Sequence, residues 1–529
     1  MQTMRTTLNI KTKKMKIVSY ILLSVIVSSV VYTSCTKAVE GRTDNLPALN
    51  PVSEDLNAGS WKPILLSRPD SFAVLAPPLT NSPAYLADLN EIKGYQQNLS
   101  GDDIGNIHYW GAGGVLRWNE TIRELVAKHN LPPYQNEDGT YPIPNSLNPF
   151  NYPQFPFSNP PFAARAYAYL SAAQYDALVA CWYYKKLYNQ PHPYSVDSSV
   201  NAINGKTALP SYPSEAGVLA GVTSEIMKLM FPTELANIQQ KVDAEELAAI
   251  KSGTATRTDI KAGEALGRQI AALFTARAKA DHAGAAVGNP TVWSAFVTNT
   301  QARGQIAWNS LEVPARPPML PLYGNTLPFL FDSLTVIKLR PAAPFSTSSS
   351  EFASQNQAAY NQIKNPTREQ EKTVQFWADG VATYTPPGHW NAIAADDFIK
   401  QNYSEVRWAR NMALLNMAEM DAAIVCWNTK YFYFNPRPTQ MMPDIKTLTG
   451  VPNFPSYISG HSTFSEAAAT ILGHIIPANA SAYESMSQDA AMSRFISGIH
   501  TKADCDSGLV TGAKIGRYAV LKAMSDGAE

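Results

Sequence analysis

Apolar residues recur along most of this chain at three- and four-residue steps, and alternation with a period of two is weak throughout. Between Ser404 and Phe434, Val406, Ala409, Met412, Ala413 and Met417 follow helical spacing, and neither glycine nor proline intervenes before Pro436. That pattern predicts a long helix over Ser404–Phe434, closed by the proline. Residues 462–475 and 505–524 have the same character. The fold class expected is therefore all-α.

The helical pattern occurs twice. Arg165, Asp176-Ala177, Cys181-Trp182, Lys185 and Pro191-His192-Pro193 match Arg410, Asp421-Ala422, Cys426-Trp427, Lys430 and Pro436-Arg437-Pro438, each 245 positions later. The same separation carries Pro210-Ser211-Tyr212 onto Pro455-Ser456-Tyr457, and Pro232 onto Pro477. Gly267-Arg268 matches Gly516-Arg517 at a separation of 249, which predicts four extra residues in the later copy. An ungapped register this long is read as a tandem duplication of one helical unit. Each unit is expected to be a four-helix bundle, the first over 105–284 and the second over 401–529. Residues 285–400 form a Pro-rich connection, which includes Val313-Pro314-Ala315-Arg316-Pro317-Pro318 and is expected to cover a pocket. A helical stretch at 367–380 and a turn from Tyr384 to Trp390 lead out of it. Residues 35–104 read as an extended leader.

Composition narrows the function classes. The chain has 529 residues, room for two or three domain-sized units, and its 43 basic residues balance its 43 acidic ones. No basic stripe or like-charge block points to a nucleic-acid partner. At the N-terminus, Lys11, Lys13, Lys14 and Lys16 precede an apolar run from Ile17 to Val31, short for a membrane span and suited to a secretory signal. Thr33-Ser34-Cys35 resembles a bacterial lipobox, although Tyr32 and Ser34 depart from it. Residues 1–34 are thus expected to be a lipoprotein-type signal peptide with lipidation at Cys35. That places the protein in the bacterial cell envelope, at the periplasm or outer membrane. The other cysteines, Cys181, Cys426 and Cys505, lack metal-ligand spacing. Cys181 and Cys426 fall in apolar helical patterns and read as buried small hydrophobes, and an oxidising compartment leaves a disulfide open.

Three short stretches carry the chemistry: Lys430-(six residues)-Arg437-Pro438, Ser459-Gly460-His461, and Ser493-Arg494-(five residues)-His500-(three residues)-Asp504. A tetrahedral oxyanion loses hydration when bound, so it needs fixed cations and N–H or O–H donors around it. Lys430, Arg437 and Arg494 supply the cations, and Ser459 a hydroxyl. Gly460 lets a backbone N–H approach closely at the start of a helix. His461 is placed for acid–base work, while Asp504 can fix the tautomer of His500. Singly, each residue is more often a solvated surface group or a structural histidine; their joint order is what carries the reading. The first copy keeps Lys185 and Ser214 but has His192 for the arginine and Glu215-Ala216 for Gly460-His461. It reads as a degenerate, structural copy. Of the remaining histidines, His389 is the one expected to line the pocket.

This order and spacing resemble the superfamily shared by type 2 phosphatidic-acid phosphatases and vanadium-dependent haloperoxidases. The doubled architecture, together with Trp118-Asn119, Pro161–Leu170 and Phe376-Trp377, resembles the bacterial haloperoxidase branch over roughly 105–525. Ile458 departs from the family's usual proline before the serine. The resemblance implies vanadate held by Lys430, Arg437, Ser459, Gly460, Arg494 and His500, with His500 as the axial vanadium ligand. It also implies His461 and Lys430 in catalysis, with hydrogen peroxide and halide as substrates. Trp427 and Phe454 match aromatic positions beside the halide pocket, although plain core packing accounts for them equally well. On the same residues the superfamily also supports an acid phosphatase working through a phosphohistidine at His500. A third reading is a non-catalytic envelope protein with a vestigial anion site. The oligomeric state is left open.

Overall fold

A computed structural model of the chain describes residues 46–51, 54–131, 136, 159–313 and 315–529. The signal segment 1–34 and Cys35 lie outside the described residues, all of which belong to a single unit. Among them every regular element is helical, and no strand occurs. Helices α1 (Pro83–Gln96), α2 (Gly101–Gly111) and α3 (Gly114–His129) come first. The first half is α4 (Pro160–Tyr188), the short α5 (Pro193–Val196), α6 (Glu215–Met230), α7 (Leu235–Lys251) and α8 (Arg257–Ala280). The connection carries α9 (Pro290–Ala302), α10 (Ser333–Leu339), α11 (Ser350–Lys364), α12 (Arg368–Phe376) and α13 (Thr385–Gln401). The second half is α14 (Glu405–Tyr433), α15 (Pro438–Met441), α16 (Gly460–Ile475), α17 (Ala480–Ile496) and α18 (Lys502–Ala523).

The long helices α4 and α14 are buried around almost their whole circumference, as central helices must be. They pack along one another, and Asn416 of α14 donates to Ser171 Oγ of α4 at 2.9 Å. Both end the same way. Asn189 and Phe434 take the left-handed conformation, and their N–H groups close back on the Lys185 and Lys430 carbonyls. Buried arginine–aspartate pairs tie each long helix to the end of its half, Arg165 to Asp281 and Arg410 to Asp526, both at 2.7 Å.

The halves correspond element by element. Helices α4 to α7 and α14 to α17 lie 245 positions apart at both ends, and α8 and α18 start at the same separation. The four-residue shift expected near Gly267 is absent. Gly263 and Gly267 of α8 lie against the Ser214 and Val218 carbonyls of α6, while Gly508 and Gly512 of α18 lie against those of Ser459 and Thr463. Gly267 thus corresponds to Gly512 rather than Gly516. Glycines at 508, 512 and 516 stand one helical turn apart, so a one-turn slip matches equally well in sequence.

These glycines let α16 and α18 approach closely, which sets the turn that begins at Ser459. A Cβ added at Gly508 would lie 2.7 Å from Ser462 Cβ and 2.9 Å from the Ser459 carbonyl oxygen. Gly508→Ala is expected to cost about 1–3 kcal/mol of stability, as overpacking does. A chemical-denaturation midpoint equal to that of the parent would contradict this packing.

The leader and the connection hold more helix than the sequence pattern led one to expect. The extended stretch over 35–104 gives way to α1 at Pro83, where Ser82 caps the helix and Tyr85, Leu89 and Ile92 form a buried stripe. The Ser100–Asp103 capping box then starts α2. Within 285–400, Asn289, Asp332, Ser349 and Thr367 cap four helices in succession. The turn expected over Tyr384–Trp390 is the first part of α13, whose opening prolines need no donor. Non-helical stretches from both regions are fastened by buried carboxylates. Asp176 accepts from the N–H groups of Ile64, Leu65 and Leu66, and Asp421 from those of Phe329 and Leu330.

Cys181, Cys426 and Cys505 are free and buried. Among the described residues no helix is long and apolar enough to cross a membrane.

Candidate active site

Lys430 sits one turn before the end of α14 and is fully buried. Its ammonium donates to the Pro455 carbonyl at 2.9 Å and the Ser456 carbonyl at 2.8 Å, which leaves its third proton free for a ligand. Burial, helped by Arg437, pulls its pKa down to about 7. Arg437 follows the left-handed end of α14, directly before α15. Its Nε donates to the Phe454 carbonyl at 2.9 Å and its Nη1 to that of Ile499 at 2.8 Å. Its Nη2 is buried with no partner. Arg494, near the end of α17, is also buried, with Nε on Ser493 Oγ at 2.8 Å and Nη2 on the Val374 carbonyl at 3.3 Å. Burial lowers Arg437 to about 9 and Arg494 to about 10.

Ser459 is the N-cap of α16, so Gly460 and His461 occupy its first turn, where backbone N–H groups lack helical acceptors. A Cβ at Gly460 would meet nothing nearer than Phe464 at 3.7 Å and Trp427 at 3.8 Å. The fold itself does not demand glycine there. The bare Cα leaves room at the helix start, consistent with a close ligand.

His500 lies just before α18, whose N-terminus is fixed by a capping box between Thr501 and Asp504. Its Nδ1 faces Asp504 Oδ2 at 3.1 Å, and that oxygen also accepts from Ser456 Oγ at 2.6 Å and Thr501 N at 3.0 Å. Burial raises the Asp504 carboxyl, but the bonds from His500, Ser456 and Thr501 outweigh it and hold the group below its ordinary value. A carboxylate at Nδ1 puts the ring proton there and leaves Nε2 as an acceptor. Burial, then Arg437 and Lys430, lower the His500 pKa to about 3, so the ring is neutral at ordinary pH. Nε2 is 3.3 Å from Arg437 Nη1, which places the lone pair among the cations. Asp504→Asn would unfix that tautomer. It is expected to weaken oxyanion affinity about 10- to 100-fold, measured with orthovanadate by calorimetry.

His461 is held neutral by burial and by Arg494, His500 and His389, all of which lower its pKa well below the ordinary range. Its Nε2 is buried without a hydrogen-bond partner and lies 3.9 Å from Asp379 Oδ2. Asp379 was not legible in the sequence. It sits between α12 and α13 with a left-handed backbone (φ 42°), and it accepts from His389 Nδ1 at 3.1 Å. Nothing in its neighbourhood in the sequence has a recognisable spacing to the other site residues. Ser456 was likewise passed over, although the repeat marks it. His389 borders the site, bonded to Asp379 and close enough to His461 to lower its pKa.

Lys430, Arg437, Ser459, Gly460, His461, Arg494, His500 and Asp504 therefore meet in one buried cluster. Trp427 and Phe454 border it with ring centroids 5.0 Å apart, and Lys430 and Arg437 lie 4.9 and 5.0 Å over the Phe454 ring. The connection closes the same side, since Trp427 Nε1 and Tyr431 Oη both donate to the Met319 carbonyl. Three buried cations face one carboxylate at Asp504 and one at Asp379, and two buried polar atoms, Arg437 Nη2 and His461 Nε2, lack partners. A partly protonated oxyanion at this point would supply the charge, an acceptor for Arg437 Nη2 and an O–H for the His461 Nε2 lone pair.

No family model and no curated protein matches the sequence. Among solved structures, the first bacterial vanadium-dependent iodoperoxidase aligns with 77% of this chain and 95% of its own, at 19% identity and a TM-score of 0.54. The chain shares the fold of that iodoperoxidase. A bacterial vanadium-dependent chloroperoxidase also aligns in its apo form, over 68% of this chain and 92% of its own, at 12% identity and a TM-score of 0.47.

Proposed function

We propose that this protein is a vanadium-dependent haloperoxidase that oxidises halide with hydrogen peroxide to hypohalous acid. The observation that carries this reading is the buried cluster itself. It combines three cations, a neutral histidine whose Nε2 lone pair is turned towards Arg437, and a second neutral histidine with an unpaired Nε2. The residues fit vanadate: Lys430, Arg437, Arg494, Ser459 and the Gly460 N–H would hold its oxygens, and His500 Nε2 would ligate its metal. When bound, vanadate supplies the Lewis acid that makes peroxide electrophilic towards halide.

The chain's own groups do the rest. His461 Nε2 takes a proton from hydrogen peroxide, and Asp379 stabilises the imidazolium that results. Lys430, with one donor uncommitted, withdraws charge from the peroxide oxygens. Trp427 and Phe454 exclude water on the side where halide would enter. The shared iodoperoxidase fold supports this reading over a phosphatase on the same residues. Export and lipidation at Cys35 remain part of the proposal, tested by palmitate-analogue labelling that disappears in Cys35→Ala.

The protein purified without its signal and reconstituted with orthovanadate should oxidise iodide, bromide or chloride in the presence of peroxide. Clear phosphomonoester hydrolysis with no oxidation of any of the three halides would overturn the proposal.

A further inference from the structure

The first half holds a cavity of about 650 Å³ where the second half holds its oxyanion cluster. Trp182, Glu215, Ala216 and Ala249 line it, and these stand 245 positions before Trp427, Gly460, His461 and Arg494. Ala255 likewise occupies the position of His500. Two histidines and an arginine have thus become alanines, which accounts for space here, and a carboxylate stands where a glycine faced the anion.

The charge on the walls is inverted as well. Glu215, Glu245 and Glu405 all line the cavity, together with Trp110 and Tyr194. Glu215 accepts from Trp182 Nε1 at 2.7 Å and lies 3.8 Å from the Lys185 ammonium. Glu405 accepts from Val115 N at 2.6 Å and Gly114 N at 3.2 Å, at the start of α3. Glu245 is different. It is 2% exposed, its Oε2 accepts from Trp118 Nε1 at 2.7 Å, and its Oε1 has no partner. A buried carboxylate oxygen left unpaired is costly unless something else satisfies it. Among the described residues no cluster could hold a metal ion. The volume is that of a small-molecule site, and aromatic walls suit an organic cation.

We propose that this cavity binds a small organic ammonium ion, its N–H groups on Glu245 and its hydrocarbon part against Trp110 and Tyr194. Lys206 stands exposed at the rim, and Lys185 is already engaged with Glu215 and the Pro210 carbonyl, so neither neutralises Glu245. Burial pushes the Glu245 carboxyl well above its ordinary range, with Glu405 adding to the effect, so the acid gives up its proton as the cation binds. The inference does not depend on the haloperoxidase reading.

Calorimetry on the full mature chain in sodium chloride buffer tests it, with phenethylammonium as probe and 2-phenylethanol as its neutral counterpart. The ammonium should bind one per chain, and the alcohol about tenfold more weakly or worse. Glu245→Gln should reduce ammonium affinity by a similar factor, and Ala216→Leu, which fills the cavity without altering its charge, should abolish binding. Circular dichroism and the unfolding midpoint report that both variants are folded; should Glu245→Gln fail to fold, Ala216→Leu carries the test alone. Absence of ammonium binding, equal binding of the alcohol, or unchanged affinity in a folded variant would each overturn the proposal.

Discussion

His500→Ala is expected to lower vanadate-dependent halide oxidation by about three orders of magnitude, the upper range for losing one preorganised group. The reason is specific to this ring. Asp504 fixes the proton on Nδ1, Arg437 sits 3.3 Å from Nε2, and no other neutral lone pair is presented at that point of the cluster. The fold should survive, because Asp504 keeps its bonds from Ser456 and Thr501. A second readout separates the ring's role from a general loss of structure. The native pKa of His500 is lowered to about 3 from an ordinary 6.5, chiefly by burial. The unfolded chain therefore binds more protons below pH 6.5, and the anion-free protein loses stability as pH falls from there towards 3. His500→Ala removes that contribution, so its unfolding midpoint should fall less steeply over the same window. Retention of more than about a tenth of the activity would remove His500 from the chemistry.

Lys430→Met should weaken orthovanadate binding about 100-fold, the value of a charge-assisted bond in a buried place, while making the anion-free protein more stable. The two effects share a cause. Lys430 is fully buried and its pKa is lowered to about 7 from 10.5, so its charged form is disfavoured by the fold. Below pH 7 that penalty is present in full. Between pH 7 and 10.5 the unfolded chain binds the extra proton, parental stability rises with pH, and the advantage of methionine fades. Thermal unfolding of both proteins at pH 6 and pH 9.5 checks the sign: the gain should be larger at pH 6. A variant less stable than the parent at pH 6 would mean that Lys430 is held by more than its two carbonyl partners.

The sequence made the helices of the second half legible because their apolar residues recur at helical steps, and α14 was the clearest because no glycine or proline interrupts it before Pro436. Lys430, Arg437, Ser459, Gly460, His461, Arg494, His500 and Asp504 were legible because they fall on three short stretches whose spacing is set by helix starts and ends. What stayed hidden has a common physical origin. Asp379 reaches His461 from a segment some 80 positions away, held by a left-handed backbone that no periodicity encodes. Most helices of the leader and the connection bury few residues, and α1, α2, α9, α10, α11 and α12 are marked in the sequence by their capping residues rather than by apolar runs. The register of α8 against α18 was misread because glycines one turn apart look alike in sequence, whereas only Gly508 and Gly512 face the same carbonyls as Gly263 and Gly267. Glu215 and Ala216 in place of Gly460 and His461 are legible in the sequence, whereas the cavity beside them and the unpaired oxygen of Glu245 are visible only in three dimensions.

The central claim is that one buried cluster, gathered from α14, α16, α17 and the start of α18, holds vanadate for peroxide chemistry. The most direct measurement is the rate of peroxide-dependent oxidation of iodide, bromide and chloride by the vanadate-free protein as orthovanadate is added. The rate should rise from background and saturate at one vanadate per chain for at least one halide, with inorganic phosphate competing. A rate that stays at background for all three halides, or that is the same with and without vanadate, would contradict it.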